Sequence, residues 1–152
     1  MNKLILPLAL ASLTISTQVL ADEISIIKPL WGYHYLERNF NGKDWNDNYL
    51  DSLGLGYRLD SGFGVSATYV HENSVNNPAW YLHAEYMHPI NDWLDVGFAG
   101  GLRNGYGKKS ANRSDSDFIP SGAFQIEAYS MLLQVTDRVS VINYKYDFDY
   151  DR

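Results

Sequence analysis

The side chains that could do chemistry in this chain are few, because its 152 residues include no cysteine. Thiolate nucleophiles, disulfides and Cys-based zinc sites are excluded, so a reaction would have to use His, Ser, Asp, Glu, Tyr or a bound ion. His34 is one candidate, since an imidazole accepts a proton close to neutral pH. Glu72, Asn73 and Ser74 are the others, because this tripeptide combines a carboxylate, an amide and a hydroxyl.

These four residues could together support acyl transfer, which requires a proton acceptor near an attacking hydroxyl and donors aimed at the developing oxyanion. His34 would be the base, and Glu72 would orient it. Ser74 Oγ or the Asn73 amide would donate a hydrogen bond to the oxyanion. A simpler interpretation stays open, in which His34 is a polar residue at a strand end and Asn73-Ser74 begins a turn.

The elements that must position these residues are β-strands, because apolar and polar residues alternate along the chain. One face of the segment 142–148 carries Ile142, Tyr144, Tyr146 and Phe148, and the other carries Asn143, Lys145 and Asp147. The same period of two recurs over 53–58, 63–69 and 94–99. The pattern predicts an all-β fold of eight strands, at about 25–35, 49–58, 63–72, 79–88, 93–106, 118–127, 130–136 and 139–148.

Long polar connections alternate with tight turns between these strands. The polar connections are Leu36 to Asn48, Asn73 to Pro78, Gly107 to Asp117 and a short one at Asp137-Arg138; the tight turns are 59–62, 89–92 and 128–129. This alternation is typical of an antiparallel up-and-down transmembrane β-barrel, whose outer loops are long and whose periplasmic turns are short. The even number of strands places both termini in the periplasm.

The first 21 residues are interpreted as a cleaved signal peptide. Lys3 supplies a positive start, residues 4–13 form an apolar run, and Val19-Leu20-Ala21 is typical of a cleavage site. A membrane-spanning anchor would need about 20 apolar residues, and polar residues interrupt this run too early. We therefore expect a single β-barrel domain over 22–152, located in the outer membrane of a Gram-negative bacterium.

The side of the sheet that faces outward distinguishes this barrel from a soluble, lipocalin-type binding barrel, which buries its apolar residues inside. The polar face favours the transmembrane barrel, because small residues and ion pairs could fill a narrow bore. Its members are Gly54, Gly56, Gly64, Ser66, Gly97 and Gly101, with Arg58, Glu72, Glu85, Asp95 and Arg103. Glu72 would then pair with Arg58 or Arg103. Aromatic residues near strand ends, among them Trp31, Tyr49, Trp80 and Tyr106, are expected at headgroup level.

Several short motifs resemble a known family. They are Tyr33-His34-Tyr35, Asn46-Asp47-Asn48-Tyr49 leading into Leu53-Gly54-Leu55-Gly56-Tyr57, then Gly64-Val65, Glu72-Asn73-Ser74, Tyr81 and Tyr86. In these motifs the chain resembles the lipid A palmitoyltransferase family of eight-stranded outer-membrane barrels, and more closely its short relatives in phages and proteobacteria. The resemblance implies transfer of an acyl chain from a phospholipid to lipid A at the outer surface.

Carried over residue by residue, the resemblance makes His34 the family's histidine and Ser74 the serine of its Asp-Ser pair. The chain departs from the family in two places. Asn73 stands where the family has Asp, with Glu72 one position earlier, so a charged residue that orients the base is missing there. The mature chain also reaches its first strand almost at once, without the family's amphipathic N-terminal helix.

Three functions follow from the sequence: a lipid A-modifying acyltransferase, a non-catalytic barrel whose outer loops bind or mask a surface component, as in phage-encoded superinfection exclusion, and a soluble exported binding barrel. The expected partners are lipopolysaccharide and phospholipid around a membrane-embedded monomer. We expect no cofactor and no metal. The net charge of −6, with scattered Lys and Arg, leaves no basic stripe for nucleic acid.

Overall fold

The computed structural model describes residues 23–35, 48–106 and 118–149. The predicted signal peptide, residues 36–47 and 107–117 of the two longest connections and the last three residues lie outside the described residues. The strands are β1 (Glu23–His34), β2 (Ser52–Arg58), β3 (Phe63–Val70), β4 (Ala79–Asn91), β5 (Leu94–Arg103), β6 (Ile119–Ala128), β7 (Met131–Val135) and β8 (Val139–Asp149). Within this part of the chain, no helix is long and apolar enough to cross a membrane.

Each strand pairs antiparallel with the next one in the chain, and β1 pairs with β8, so the sheet closes into a barrel. This confirms the predicted all-β, eight-stranded, antiparallel up-and-down barrel. We call the end with the turns at 59–62, 92–93 and 129–130 the turn end. The opposite end, which carries the other four connections, is the loop end.

Most of the large apolar side chains of the strands point outward, and most of the charged side chains point inward. In β2, Leu53 and Leu55 are 55% and 60% exposed, whereas Ser52 and Arg58 are 1% and 8% exposed. The same alternation continues in β8, where Tyr144 is exposed and the flanking residues are buried. The barrel therefore has the reverse orientation of a lipocalin-type barrel, which keeps its apolar residues inside.

Exposed aromatic rings lie near both ends of the barrel wall. At the loop end, Tyr69 and Trp80 have ring centroids 5.1 Å apart. At the turn end, the rings of Phe63 and Tyr86 are 4.8 Å apart. Trp93 and Tyr129 stack there as well, across two of the tight turns.

Two aromatic residues predicted for headgroup level lie inside instead. Tyr49 is buried in a cluster with Val70 and Ala79, and Tyr106 lines an interior cavity with Tyr81. Both residues lie just beyond strand ends, Tyr49 before β2 and Tyr106 after β5. The period-two rule does not fix the direction of a side chain there, because the chain has left the ladder.

Two register shifts modify the regular ladder. One lies between Pro29 and Trp31 in β1, opposite β8, and the other lies between Pro89 and Asn91 in β4, opposite β5. Proline cannot donate a ladder hydrogen bond, so bulges and strand edges accommodate it. The prediction of a turn at 89–92 was therefore wrong, since β4 continues to Asn91 and the turn lies at 92–93.

Candidate functional site

The turn-end half of the interior is filled by charged side chains centred on Lys145. This residue is only 2% exposed. Its Nζ lies 2.8 Å from Glu127 Oε1 and 3.1 Å from Asp147 Oδ1, and it also bonds Glu23. Inward-facing residues of β1, β6 and β8 thereby meet at one ammonium group.

Arg58 is the second cation of this network. Its Nη2 lies 2.7 Å from Glu127 Oε2, and its Nη1 lies 3.4 Å from Asp95 Oδ2 and 3.5 Å from Glu23 Oε2. Glu85 completes the set at 3.9 Å. The sequence predicts Arg58 or Arg103 as the partner of Glu72, but Arg58 ends β2 at the turn end, whereas Glu72 follows β3 at the loop end. The predicted pairing with Arg58 was wrong, because the two residues lie at opposite ends of the barrel.

The carboxylates of Glu23, Glu127 and Asp147 approach closely enough to suggest a metal site, with one oxygen of each within 4.8 Å of the others. Lys145 Nζ hydrogen-bonds Glu23 and Glu127 and forms an ion pair with Asp147 at 3.1 Å. The ammonium thus supplies the positive charge that a cation would otherwise bring. We interpret this cluster as a structural network that closes the turn end of the bore.

The loop-end half of the interior holds a cavity with an empty volume of about 750 Å³, part of which opens to solvent. The wall formed by β1 and β8 is largely apolar and includes Ile27, Val139 and Val141. The opposite wall belongs to β4, β5 and β6 and carries Tyr81, His83, Arg103 and Ser121. None of the described residues that line this cavity is acidic.

Arg103 and Tyr106 form the centre of the polar wall. The Arg103 guanidinium lies 4.6 Å from the centroid of the Tyr106 ring, in a cation–π contact. The Tyr106 hydroxyl bonds the Tyr81 hydroxyl, and it lies 3.4 Å from Ser74 Oγ. Tyr81 and Arg103 are directly paired neighbours on β4 and β5. A guanidinium and two phenol groups therefore meet near the loop-end mouth of the cavity.

His83 and Ser121 extend this wall deeper into the barrel. His83 Nε2 lies 3.1 Å from Ser121 Oγ, although β5 separates their strands. Gly101 pairs with both residues and has no side chain between them. A Cβ at Gly101 would also come within 1.9 Å of the Leu82 carbonyl oxygen, so glycine is required in this row.

Asn73, predicted as an oxyanion donor, organises the loop between β3 and β4. It is 0% exposed. Its Oδ1 accepts hydrogen bonds from the backbone N–H of Val75 and Asn77, and its Nδ2 donates to the Gly105 carbonyl at 2.9 Å. This is the hydrogen bonding of a turn, as the simpler interpretation of Asn73 expected.

Ser74 lies beside Asn73 and is buried, with its hydroxyl facing Tyr106. Glu72 lines a small crevice together with Tyr49 and Ser52. His34 ends β1 and pairs with Val139 of β8. All four predicted residues lie at the loop end, and the described contacts bring Ser74 into the polar wall of the cavity.

The residues that sequence reasoning missed are those of the polar wall, namely Tyr81, His83, Tyr106 and Ser121 as a group around Arg103. Alternation alone places most of them inside, since each lies two residues from another inward position. The signal that could have joined them is Gly101, because a small residue on the central strand lets its neighbours approach each other.

A comparison with models of protein families and a search of curated protein sequences both returned no match. The likeness to lipid A palmitoyltransferases therefore rests on the short motifs of the sequence alone.

Proposed function

We propose that this protein is an outer-membrane β-barrel that transfers an acyl chain from a phospholipid to lipid A at its loop end. The observation that carries the membrane part is the orientation of the barrel, with apolar ridges outside and a charged network inside. Water would hydrate such an outer surface poorly, whereas lipid would cover it. The two levels of exposed aromatic rings support the same arrangement.

The membrane part is tested by fractionation and by electrophoresis. The protein should remain with outer membranes after a carbonate wash, and unheated samples should migrate differently from boiled ones. Leu55→Arg places a charge on the outer face and should lower the free energy of unfolding in bilayers by about 2–4 kcal/mol. Release of the wild-type protein with the periplasmic fraction would contradict the proposal.

The transfer part is supported by the positions of the four predicted residues at the same end as the cavity. In this reaction a lipid A hydroxyl attacks the ester carbonyl of a phospholipid. A new ester forms, the old ester bond breaks, and the lysophospholipid alcohol receives the proton. His34 would take the proton from the attacking hydroxyl and return it to the leaving group. The apolar wall of the cavity would hold the acyl chain.

Mass spectrometry of lipid A, from cells with and without the protein, tests the transfer. An added acyl chain is expected with the wild type, and it should disappear in His34→Ala and Ser74→Ala. Arg138→Gln serves as the matched control, because Arg138 is an exposed loop-end residue outside the proposed site. If cells with the wild-type protein show an unchanged acyl pattern, the proposed acyl transfer is refuted, and only the proposal of an outer-membrane barrel stands.

A second candidate is a non-catalytic barrel whose loops bind or mask a surface component. The hydrogen bonds of Asn73 favour this candidate, because they engage both polar atoms of its side chain with the backbone of the loops. Asn73→Ala removes these bonds, and it should lower protection of the loop from proteolysis. In this second case, cells that carry the wild-type protein should resist a phage or ligand that the Asn73→Ala cells admit, with identical lipid A.

A further inference from the structure

Arg103 is a cation inside the barrel that forms no ion pair with any carboxylate of the described residues. Among the described residues, no Asp or Glu oxygen lies within 4 Å of its guanidinium, whereas Arg58 has four such partners. Its Nε is buried without a hydrogen-bond partner. Removing a charge from water is costly unless it meets a counter-charge, so Arg103 has capacity for an anion.

The groups around Arg103 are also suited to an anion. The bonded Tyr81–Tyr106 hydroxyls and the bonded His83–Ser121 pair lie along the same wall, and one hydroxyl proton of the first pair is already used in their mutual bond. In the part of the chain that the structure describes, no acidic residue lines the cavity to oppose a negative ligand. The interior carboxylates of the described residues belong to the turn-end network instead.

The wall across the bore from Arg103, formed by β1 and β8, is largely apolar, which favours a ligand with an alkyl chain. Ile27, Val139 and Val141 offer a surface for that chain, and Asn143 ends it. From Val139 to Asn143 the cavity follows four steps along β8, or about 13 Å at the usual strand rise. A short chain could therefore lie against this wall with its head near the mouth.

We propose that the loop-end cavity binds a single-chain amphiphile whose anionic head, a carboxylate or a phosphate, pairs with Arg103. This names a ligand for the cavity to which the proposed function assigns the acyl chain, and to that extent it rests on that function. The guanidinium presents a planar fork that matches the oxygens of both head groups.

Calorimetry on the full mature barrel in maltoside micelles tests the inference, with octanoate, octyl phosphate and octanol as probes and titrations into empty micelles subtracted. We expect octanoate or octyl phosphate to bind at one site, and octanol at least about tenfold more weakly. The better anion identifies the head group as a carboxylate or as a phosphate. Equal binding of octanol and both anions would overturn the inference, as would no binding at all.

Variants assign the binding to Arg103. Arg103→Gln should weaken anion binding at least about tenfold and leave octanol unchanged. Arg103→Lys keeps the charge and should retain the preference for anions with lower affinity. Arg138→Gln removes an exposed loop-end arginine and should bind like the wild type. Unchanged anion binding in Arg103→Gln would overturn the assignment.

Electrophoresis shows which variants are folded, because an unheated sample of a folded barrel migrates differently from a boiled one. If Arg103→Gln does not fold, Arg103→Lys decides, and a lysine variant without any preference for anions over octanol contradicts the inference. The anion site alone would be refuted if calorimetry detects no anion binding, while heated and unheated samples still migrate differently on a gel and lipid A is still modified. Failure of the heat shift or of lipid A modification, with anion binding intact, would refute only the proposed function.

Discussion

Lys145 and Arg103 are both cations inside the barrel, but their surroundings differ. Lys145 lies in the turn-end half, where Glu23, Glu127 and Asp147 bond its ammonium. Arg103 lies in the loop-end half, where it stacks on Tyr106 beside open space. One half of the interior is thus closed by internal ion pairs, and the other half is left incomplete.

This difference indicates that the two halves serve different purposes. The turn-end network pairs both of its cations with carboxylates of the described chain, and these ion pairs fill that half of the bore. The loop-end wall keeps a guanidinium and several hydroxyl groups in contact with a cavity. Polar groups that a fold leaves with spare bonding capacity are candidates for binding, because a ligand can complete them.

Of the substitutions in the turn-end half, the removal of Lys145 should lower the free energy of unfolding most. Lys145→Met keeps a similar length but leaves three close carboxylates with Arg58 as their nearest cation. We expect the free energy of unfolding to fall by about 3–5 kcal/mol, the usual cost of breaking a buried ion pair. Urea unfolding of the refolded barrel in bilayers measures this loss. Lys28→Met, which removes an outward-facing lysine, is the control and should cost less than half as much.

Replacing an inward-facing alanine by leucine should show that the two halves of the interior differ in how tightly they are packed. Ala99 and Ala123 are paired neighbours on β5 and β6, but Ala99 is buried beside Glu85, whereas Ala123 lines the cavity. Ala99→Leu should lower the free energy of unfolding by about 1–3 kcal/mol through overpacking.

Ala123→Leu in the same experiment should change this free energy by less than about 1 kcal/mol, because its side chain enters empty space. Equal losses in both variants would mean that the loop-end half is packed as tightly as the turn-end half. The urea concentrations at the midpoint of unfolding give the same comparison, if the unfolding free energy of both variants depends on urea as steeply as that of the wild type.

Neutralising Asp147 should have the smallest effect. Its Oδ1 lies 3.1 Å from Lys145 Nζ, but its side chain is 27% exposed. The network described here contains five carboxylates, namely Glu23, Glu85, Asp95, Glu127 and Asp147, and two cations. Asp147→Asn removes one negative charge from a network that has more carboxylates than cations. The free energy of unfolding should therefore change by less than about 1 kcal/mol.

Glu127→Gln is the matched comparison for Asp147→Asn, because Glu127 bonds both Lys145 and Arg58. Its loss should exceed that of Asp147→Asn and reach about 1.5–3 kcal/mol, as for other hydrogen bonds to charged groups. A larger loss in Asp147→Asn than in Glu127→Gln would show that Glu127 is not the centre of the network.

The fold could be predicted from the sequence because alternation is a local property. Leu53 and Leu55 alternate with Ser52 and Gly54, and this order alone specifies a strand with one apolar face. The turn at 59–62 follows from the short break between such segments, and the turn predicted at 128–129 lies one residue later, at 129–130. The register shift at Pro89 was missed, because a bulge changes the pairing without ending the strand.

The candidate site was harder to predict, because its members meet only after the sheet has closed. Tyr106 lies beyond the end of β5, and no periodic rule gives its direction. His83 and Ser121 are far apart in the chain, and their contact depends on Gly101 between them. The catalytic assignments of His34, Glu72, Asn73 and Ser74 remain predictions, while the hydrogen bonds of Asn73 agree with its interpretation as a turn residue.

The ladder between β1 and β8 has a consequence for how the chain folds. Eleven residue pairs join these two strands, more than the five pairs that join β7 to β8. Its partners come from the two ends of the described chain, so this ladder cannot form until β8 is available for pairing. Until then the sheet keeps an unpaired edge strand on each side, and such edges invite association with other chains. We therefore expect assembly to be cooperative and late, with the last strand converting an aggregation-prone sheet into an edgeless cylinder.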